Sequence, residues 1–298
     1  MIFVRGVAKN VRFFGSATAL EPINMAFASY ESTSTYGDAQ PSPLIIMHGM
    51  LGSKANWNSL CKAFQKQTDP QRKIIAVDAR NHGDSPHCIH HTYPHIAEDV
   101  KEFLTKLKIK KACLLGHSMG GRAMMYFALK YPNFVDKLII EDMSPGKTSP
   151  SLTSLPSLFV ALQNVTLPIN TPMSRARLDA DSQLAKSIPN KELRAFLLTN
   201  LMQKSDGSFS WRPNIPVLLN NFTEHIATFP NITEKFNGPT LFIAGGLSDF
   251  IQKSDHAVIQ NLFPKSELKV IEGAGHWLHS EKPNEFLKIC LNFLNNKN

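Results

Sequence analysis

The chain is poor in the features that mark several protein classes. Its 298 residues hold only four cysteines, Cys61, Cys88, Cys113 and Cys290. They lie far apart and fit neither a zinc ribbon nor a finger, and they argue against a disulfide framework. Cys113 and Cys290 read instead as small buried apolar residues. No apolar run reaches about 18 residues, the length a membrane-spanning helix needs, so no such span is expected. No Walker loop and no G-x-G-x-x-G turn follows a strand-like run, so no nucleotide cofactor is implied and no cofactor is expected. Internal repeats and long low-complexity tracts are also missing.

Acid is scarce at the start of the chain. Arg5, Lys9 and Arg12 appear before the first carboxylate, Glu21, interleaved with Ile2, Phe3, Val4, Val7, Val11, Phe13 and Phe14. A basic, acid-poor, amphipathic start is the pattern of a mitochondrial transit peptide, here over residues 1–20, and predicts a matrix location. A secretory signal is the rival, supported by Ala17-Thr18-Ala19 but lacking an uninterrupted apolar core; an untargeted N-terminus is the third reading. The net charge of +8 comes from scattered residues. With no nucleic-acid motif, it predicts no nucleic-acid partner and is compatible with weak attraction to anionic membrane surfaces.

What is present is an ordinary globular composition, 43% hydrophobic and 19% charged, of a length that suits one large domain with or without an insertion. Short apolar runs alternate with helical patterns. Strands are predicted at residues 23–30, 44–47, 73–77, 112–115, 137–141, 239–244 and 268–271. Helices are predicted near 54–67, 95–107 and 283–295. This alternation indicates right-handed βαβ units and a mostly parallel sheet flanked by helices. The strand pattern lapses between about Ser144 and Asn237, where prolines cluster and helical patches such as 191–203 appear. These residues, 144–237, are expected to form a helical cap inserted after the strand ending at Asp142, over the strand carboxyl ends where ligands bind in open α/β sheets. Residues 21–143 and 238–298 would form the core.

The most informative motif is Gly116-His117-Ser118-Met119-Gly120, set between the run Ala112–Leu115 and the helical run that follows. A serine on a sharp strand-to-helix turn, flanked by glycines, is a nucleophile elbow. A hydroxyl is a weak nucleophile, so Ser118 needs a base and an oxyanion site. His48-Gly49-Met50-Leu51-Gly52 follows the second predicted strand, 44–47, and is the expected oxyanion loop, with backbone N–H donors from Met50 and Met119. His48 is expected to shape its loop. Four histidines follow Ser118: His225, His256, His276 and His279. His276, in the Gly273–Trp277 loop just after the last strand, is the candidate base. Two acids are open for the third position. Asp142 ends its strand with almost no slack, and Asp249 lies in the Gly245–Phe250 turn. Asp78 and Arg80 are expected to fix their loop through polar contacts. His87, Cys88, His90, His91 and His95 match no metal-ligand spacing and are read as a solvated loop, so no metal is expected.

Taken together, His48–Lys54, Asp78–His87, Gly116–Gly121, Asp142–Pro145 and Gly275–His279 resemble the α/β-hydrolase superfamily, in particular the group of α/β-hydrolase domain-containing protein eleven and its bacterial esterase relatives. The resemblance runs from about residue 22 to the C-terminus. It implies the α/β-hydrolase fold with a helical cap, a serine hydrolase acting on esters, with lipid esters such as diacylglycerol proposed, and a mitochondrial location. It favours Asp142 as the acid, because the slot that Asp249 occupies here often holds none in such relatives. Two other readings differ in outcome: a thioesterase or amidase using the same three residues, and a non-catalytic interaction protein on the same fold. The intact elbow, oxyanion loop and histidine argue against the second.

Overall fold

The computed structural model describes residues 20–33, 40–146 and 149–296. Residues 1–19 of the expected transit peptide lie outside the described residues. Along the chain, β1 (Phe27–Tyr30) and β2 (Leu44–Met47) precede α1 (Asn58–Gln67), and β3 (Ile74–Val77) precedes α2 (Tyr93–Lys106). β4 (Ala112–His117) runs into α3 (Met119–Lys130), followed by β5 (Val135–Glu141). An inserted stretch then contains α4 (Pro150–Thr153), α5 (Leu155–Gln163), α6 (Met173–Leu184), α7 (Lys191–Leu198), β6 (Leu201–Gln203), β7 (Phe209–Trp211) and α8 (Ile215–Asn221). β8 (Thr240–Gly245), α9 (His256–Leu262), β9 (Ser266–Ile271), α10 (Leu278–Glu281) and α11 (Pro283–Asn295) complete the chain.

Seven strands form one sheet in the order β1-β3-β2-β4-β5-β8-β9. Every pairing is parallel except that of β1 with β3. The parallel centre follows from sequence: β2 and β3 are apolar along their length, β4 and β8 are apolar but for His117 and Thr240, and all four are buried on both faces. Side chains of successive residues go to opposite cores. Ile45, Met47, Ile75, Val77 and Leu114 join the core beneath α2 and α3, whereas Leu44, Ile46, Ile74, Ala76 and Leu115 join the one beneath α1 and α11.

The structure departs from the sequence reading in several elements. The first strand covers only Phe27–Tyr30 and is half exposed, as suits an edge. The expected helical patch 191–203 ends at Leu198, and Leu201–Gln203 pairs antiparallel with Phe209–Trp211. Asp206-Gly207 turns the chain there, with Gly207 at φ +80°, so the insertion is not purely helical. Helix α2 starts two residues earlier than expected because Thr92 caps it, its hydroxyl accepting from His95 N, with Pro94 in the first turn.

The junction of β4 and α3 leaves no room for side chains on its glycines. A Cβ on Gly116 would sit 2.3 Å from the Gly120 carbonyl oxygen, and one on Gly120 would sit 2.5 Å from the carbonyl oxygens of Met47 and His48. These obstacles are backbone and cannot rotate away. Gly120→Ala is therefore expected to cost about 1–3 kcal/mol or more of stability, several degrees in Tm. Thermal melts of the purified variant check this, and an unchanged Tm would contradict the close approach of α3 to the end of β2.

Candidate active site

Ser118 sits between β4 and α3 at φ +53° and ψ −116°, a strained conformation for a residue with a side chain. The surrounding ladder holds it there: its N–H donates to the Glu141 carbonyl on β5 at 3.1 Å, and its own carbonyl accepts from Arg122 N. The first N–H groups of α3 have no partner within the helix and carry the positive end of its dipole beside Ser118. The oxyanion loop closes on the same point. A Cβ on Gly49 would lie 3.2 Å from Ser118 Cβ and 2.6 Å from His117 Nδ1, so the backbone leading into Met50 runs against the serine.

Asp142 and His276 meet although 134 residues separate them in sequence: His276 Nδ1 lies 2.7 Å from Asp142 Oδ2. Asp142 is fully buried, at φ +45° just past the end of β5. It also accepts from Gly245 N at 3.0 Å and from the Ser248 hydroxyl. With Nδ1–H donated to a carboxylate, the imidazole keeps Nε2 as its basic nitrogen. Phe250 stacks on the His276 ring at 3.6 Å between centroids. Asp249, the other acid, turns its Oδ2 to Ser151 N at 3.0 Å, at the start of α4, and its Oδ1 is buried with no hydrogen-bond partner among the described residues.

A second histidine–carboxylate pair lies alongside the first. Glu141, adjacent to Asp142 and equally buried, accepts from His279 Nδ1 at 2.7 Å. His117, adjacent to Ser118, donates from Nε2 to the His276 carbonyl at 2.9 Å, and its ring lies 4.7 Å from His276 and 4.9 Å from His279. Trp57 stacks on His279 at 4.4 Å. Ligand-type atoms of His117, Glu141 and His279 come within 4.8 Å of one another. Both His279 N and His279 Nδ1 bond to Oε1 of Glu141, whereas its Oε2 is buried with no hydrogen-bond partner among the described residues. Sequence reasoning missed this pair because Glu141 reads as the last residue of a strand. It also missed Ser248 and Phe250, whose roles depend on how the β8 loop folds back.

Two loops under the site clasp each other. His48 Nε2 accepts from Ala79 N, and His82 Nε2 accepts from Leu51 N, both at 3.1 Å. Each ring turns its other nitrogen to a carbonyl, of Gly49 and Arg80. Arg80 is buried and grips both oxygens of Asp99 at 2.7 Å, and Asp78 takes Lys54 N and Nζ at 2.6 Å. Burial opposes the charge on Lys54, yet Asp78 and Asp84 hold its ammonium above the ordinary range. His91 departs from the solvated loop expected of it: it is buried, with Nε2 3.2 Å from Met119 Sδ. His87 and His90 are exposed.

A cavity of about 470 Å³ opens at the ends of these loops, lined by Ser118, His276, Met50, Leu155, Leu158 and Phe196 among others. Its size is that of a small-molecule site, apolar with few polar groups. His225 and His256, the other histidines considered as bases, are exposed and do not line it.

The buried histidines set a pH dependence. Burial pushes His48, His82 and His117 below their ordinary value of 6.5 and takes His91 down to about 3. Each folded-state value lies below the unfolded one, so the unfolded chain binds more protons under acid. The stabilisation is complete above about pH 6.5 and is lost as pH falls, by about 1.4 kcal/mol per pH unit for each histidine. Urea midpoints are expected to be flat above neutrality and to drop steadily below about pH 6.5, with a shallower drop in His91→Gln. A midpoint that rises on acidification would contradict the burial of neutral rings.

The sequence profile of the alpha/beta hydrolase fold matches residues 42–283. The chain is 41% identical over 258 residues to the sn-1-specific diacylglycerol lipase ABHD11 of Mus musculus, covering 87% of this chain and 82% of that protein. It is 32% identical over 254 residues to Esterase YbfF of Escherichia coli K12, covering 85% and 93%. Among solved structures, a marine microorganism esterase superposes with a TM-score of 0.81 at 34% identity, covering 91% of this chain and 99% of the other. With its parallel sheet, strained serine turn and inserted cap-side helices, the chain belongs to the α/β-hydrolase fold family.

Proposed function

We propose that the protein is a serine hydrolase that cleaves carboxylic esters through an acyl-enzyme on Ser118, and that its substrates are lipid esters of the diacylglycerol class. The observation that carries this reading is the His276–Asp142 hydrogen bond at the cavity that holds Ser118. Ser118 Oγ attacks the ester carbonyl carbon while His276 Nε2 takes its proton. The N–H groups of Met50 and Met119 receive the developing oxyanion, each such donor contributing about 10²–10³ in rate. Collapse breaks the bond to the alcohol, which leaves with the proton returned by His276. Water, deprotonated by the same nitrogen, then releases the carboxylic acid and restores Ser118. Asp142 fixes the imidazole tautomer and stabilises the imidazolium. The apolar walls of the cavity and the likeness to a diacylglycerol lipase support the lipid class.

Two variants separate the roles of the acids. Asp142→Asn is expected to lower kcat by about four orders of magnitude, whereas Asp249→Asn keeps near-normal turnover. Ser118→Ala loses turnover by several orders while melting like the parent. A large loss at Asp249 with normal turnover at Asp142 would reverse the assignment. Assays on matched esters, thioesters and amides settle the bond class, with esters expected to be fastest.

We propose in addition that the protein acts in the mitochondrial matrix. The support is sequence alone: Arg5, Lys9 and Arg12 with no acid before Glu21. A fluorescent reporter carrying residues 1–25 is expected to enter mitochondria; a reporter that stays cytosolic or becomes glycosylated would contradict it.

A further inference from the structure

A second cavity, of about 830 Å³, lies directly beyond one wall of the cavity that holds Ser118. The two share three residues, Leu193 and Phe196 of α7 and Trp277, the residue after His276. Phe196 and Trp277 lie 6.5 Å apart between ring centroids and form the core of that ridge. Spacing of three places Leu193 and Phe196 on the same face of α7. The far side of the outer cavity is built by α1, through Ser59, Leu60 and Ala63, and by Pro283 and Leu287 of α11. These aliphatic groups mix with neutral amides and hydroxyls. The charged groups are carboxylates, Glu192 and Glu281, and among the described residues that line it there is no Lys or Arg.

We propose that the outer cavity is a second substrate chamber, occupied by the second acyl chain of a neutral two-chain ester whose first chain lies over Ser118. The proposal rests on the serine-hydrolase reading above and extends it to the shape of the substrate. Two chains joined at one end can straddle a ridge, which a single-chain ester has no need to do. The inner cavity alone is of a size for one small ligand, while the two together can hold an elongated lipid. The charge of the lining selects among lipids. A phosphate carried beside the second chain would be brought towards Glu192 and Glu281 with no Lys or Arg among the described lining residues to offset them, so the chamber favours an uncharged glyceride over an anionic glycerophospholipid.

The test fills the outer chamber and leaves the inner one alone. Ser59 and Ala63 are one turn apart on α1 and line the outer cavity only. Ser59→Trp and Ala63→Trp are each compared with the parent on dioleoylglycerol, methyl oleate and dioleoyl phosphatidate, with thermal melts to confirm folding. Ser59 is exposed, so its variant guards against a failure of Ala63→Trp to fold. The expected result is a fall of at least about tenfold in kcat/KM for dioleoylglycerol with turnover of methyl oleate unchanged. The phosphatidate is expected to be the slowest substrate of the parent. Unchanged dioleoylglycerol turnover in both folded variants would overturn the proposal, as would equal losses on both esters, or a parent that cleaves methyl oleate but not dioleoylglycerol. Phosphatidate cleaved as fast as the glyceride would overturn its selectivity. A parent that cleaves no ester at all would instead remove the serine-hydrolase reading, and this proposal with it.

Discussion

One buried carboxylate ties the site together. Asp142 accepts hydrogen bonds from Gly245 N, from the Ser248 hydroxyl and from His276 Nδ1, so it joins the tip of β5 to the loop after β8 and to the loop after β9. Burying a carboxylate is costly unless hydrogen bonds compensate it, and both oxygens of Asp142 have partners. The same three partners that meet this requirement also fix where the imidazole stands. Hydrogen bonds to a charged group contribute about 1.5–3 kcal/mol each, more than neutral ones. The positive φ at both Ser118 and Asp142 is the local cost of putting two side chains at adjacent strand tips, and the parallel ladder through β4, β5 and β8 supports both.

Around that carboxylate the scaffold is built from reciprocal contacts between loops. The 48–52 and 78–85 loops exchange histidine acceptors, and Asn200 from the inserted region donates to the Leu51 carbonyl at 2.8 Å. Arg122, buried on α3, collects the carbonyls of Ser144, Ile226 and Ala227, near the two ends of the insertion. One cation thereby fastens both connections of the insertion to the helix that follows Ser118. The inserted helices complete the walls of the cavity, and their anchoring decides how far those walls can move.

Much of this was legible in the chain because the signals are local. Four apolar residues at Leu44–Met47 and a proline at the start of Pro283–Asn295 mark their elements without tertiary knowledge. The glycine spacing around Ser118 requires a tight turn whatever surrounds it. The choice between Asp142 and Asp249 was open, because it depends on which carboxylate the last loop reaches; in the fold Asp142 meets His276 and Asp249 holds Ser151. The Glu141–His279 pair was invisible for the same reason. A glutamate closing a strand reads as an exposed end until a helix 138 residues later covers it. The β6–β7 hairpin carried a local signal in Asp206-Gly207, but Leu201–Gln203 is too short to show a strand period.

The central claim is that Ser118 is the serine activated by His276. Covalent trapping tests it most directly. The protein is treated with a stoichiometric fluorophosphonate, weighed intact and mapped by peptide mass spectrometry. The account predicts one adduct per chain, on Ser118, and none when His276 is replaced by Gln. An adduct on another residue, or equal labelling of the His276→Gln variant, would contradict it.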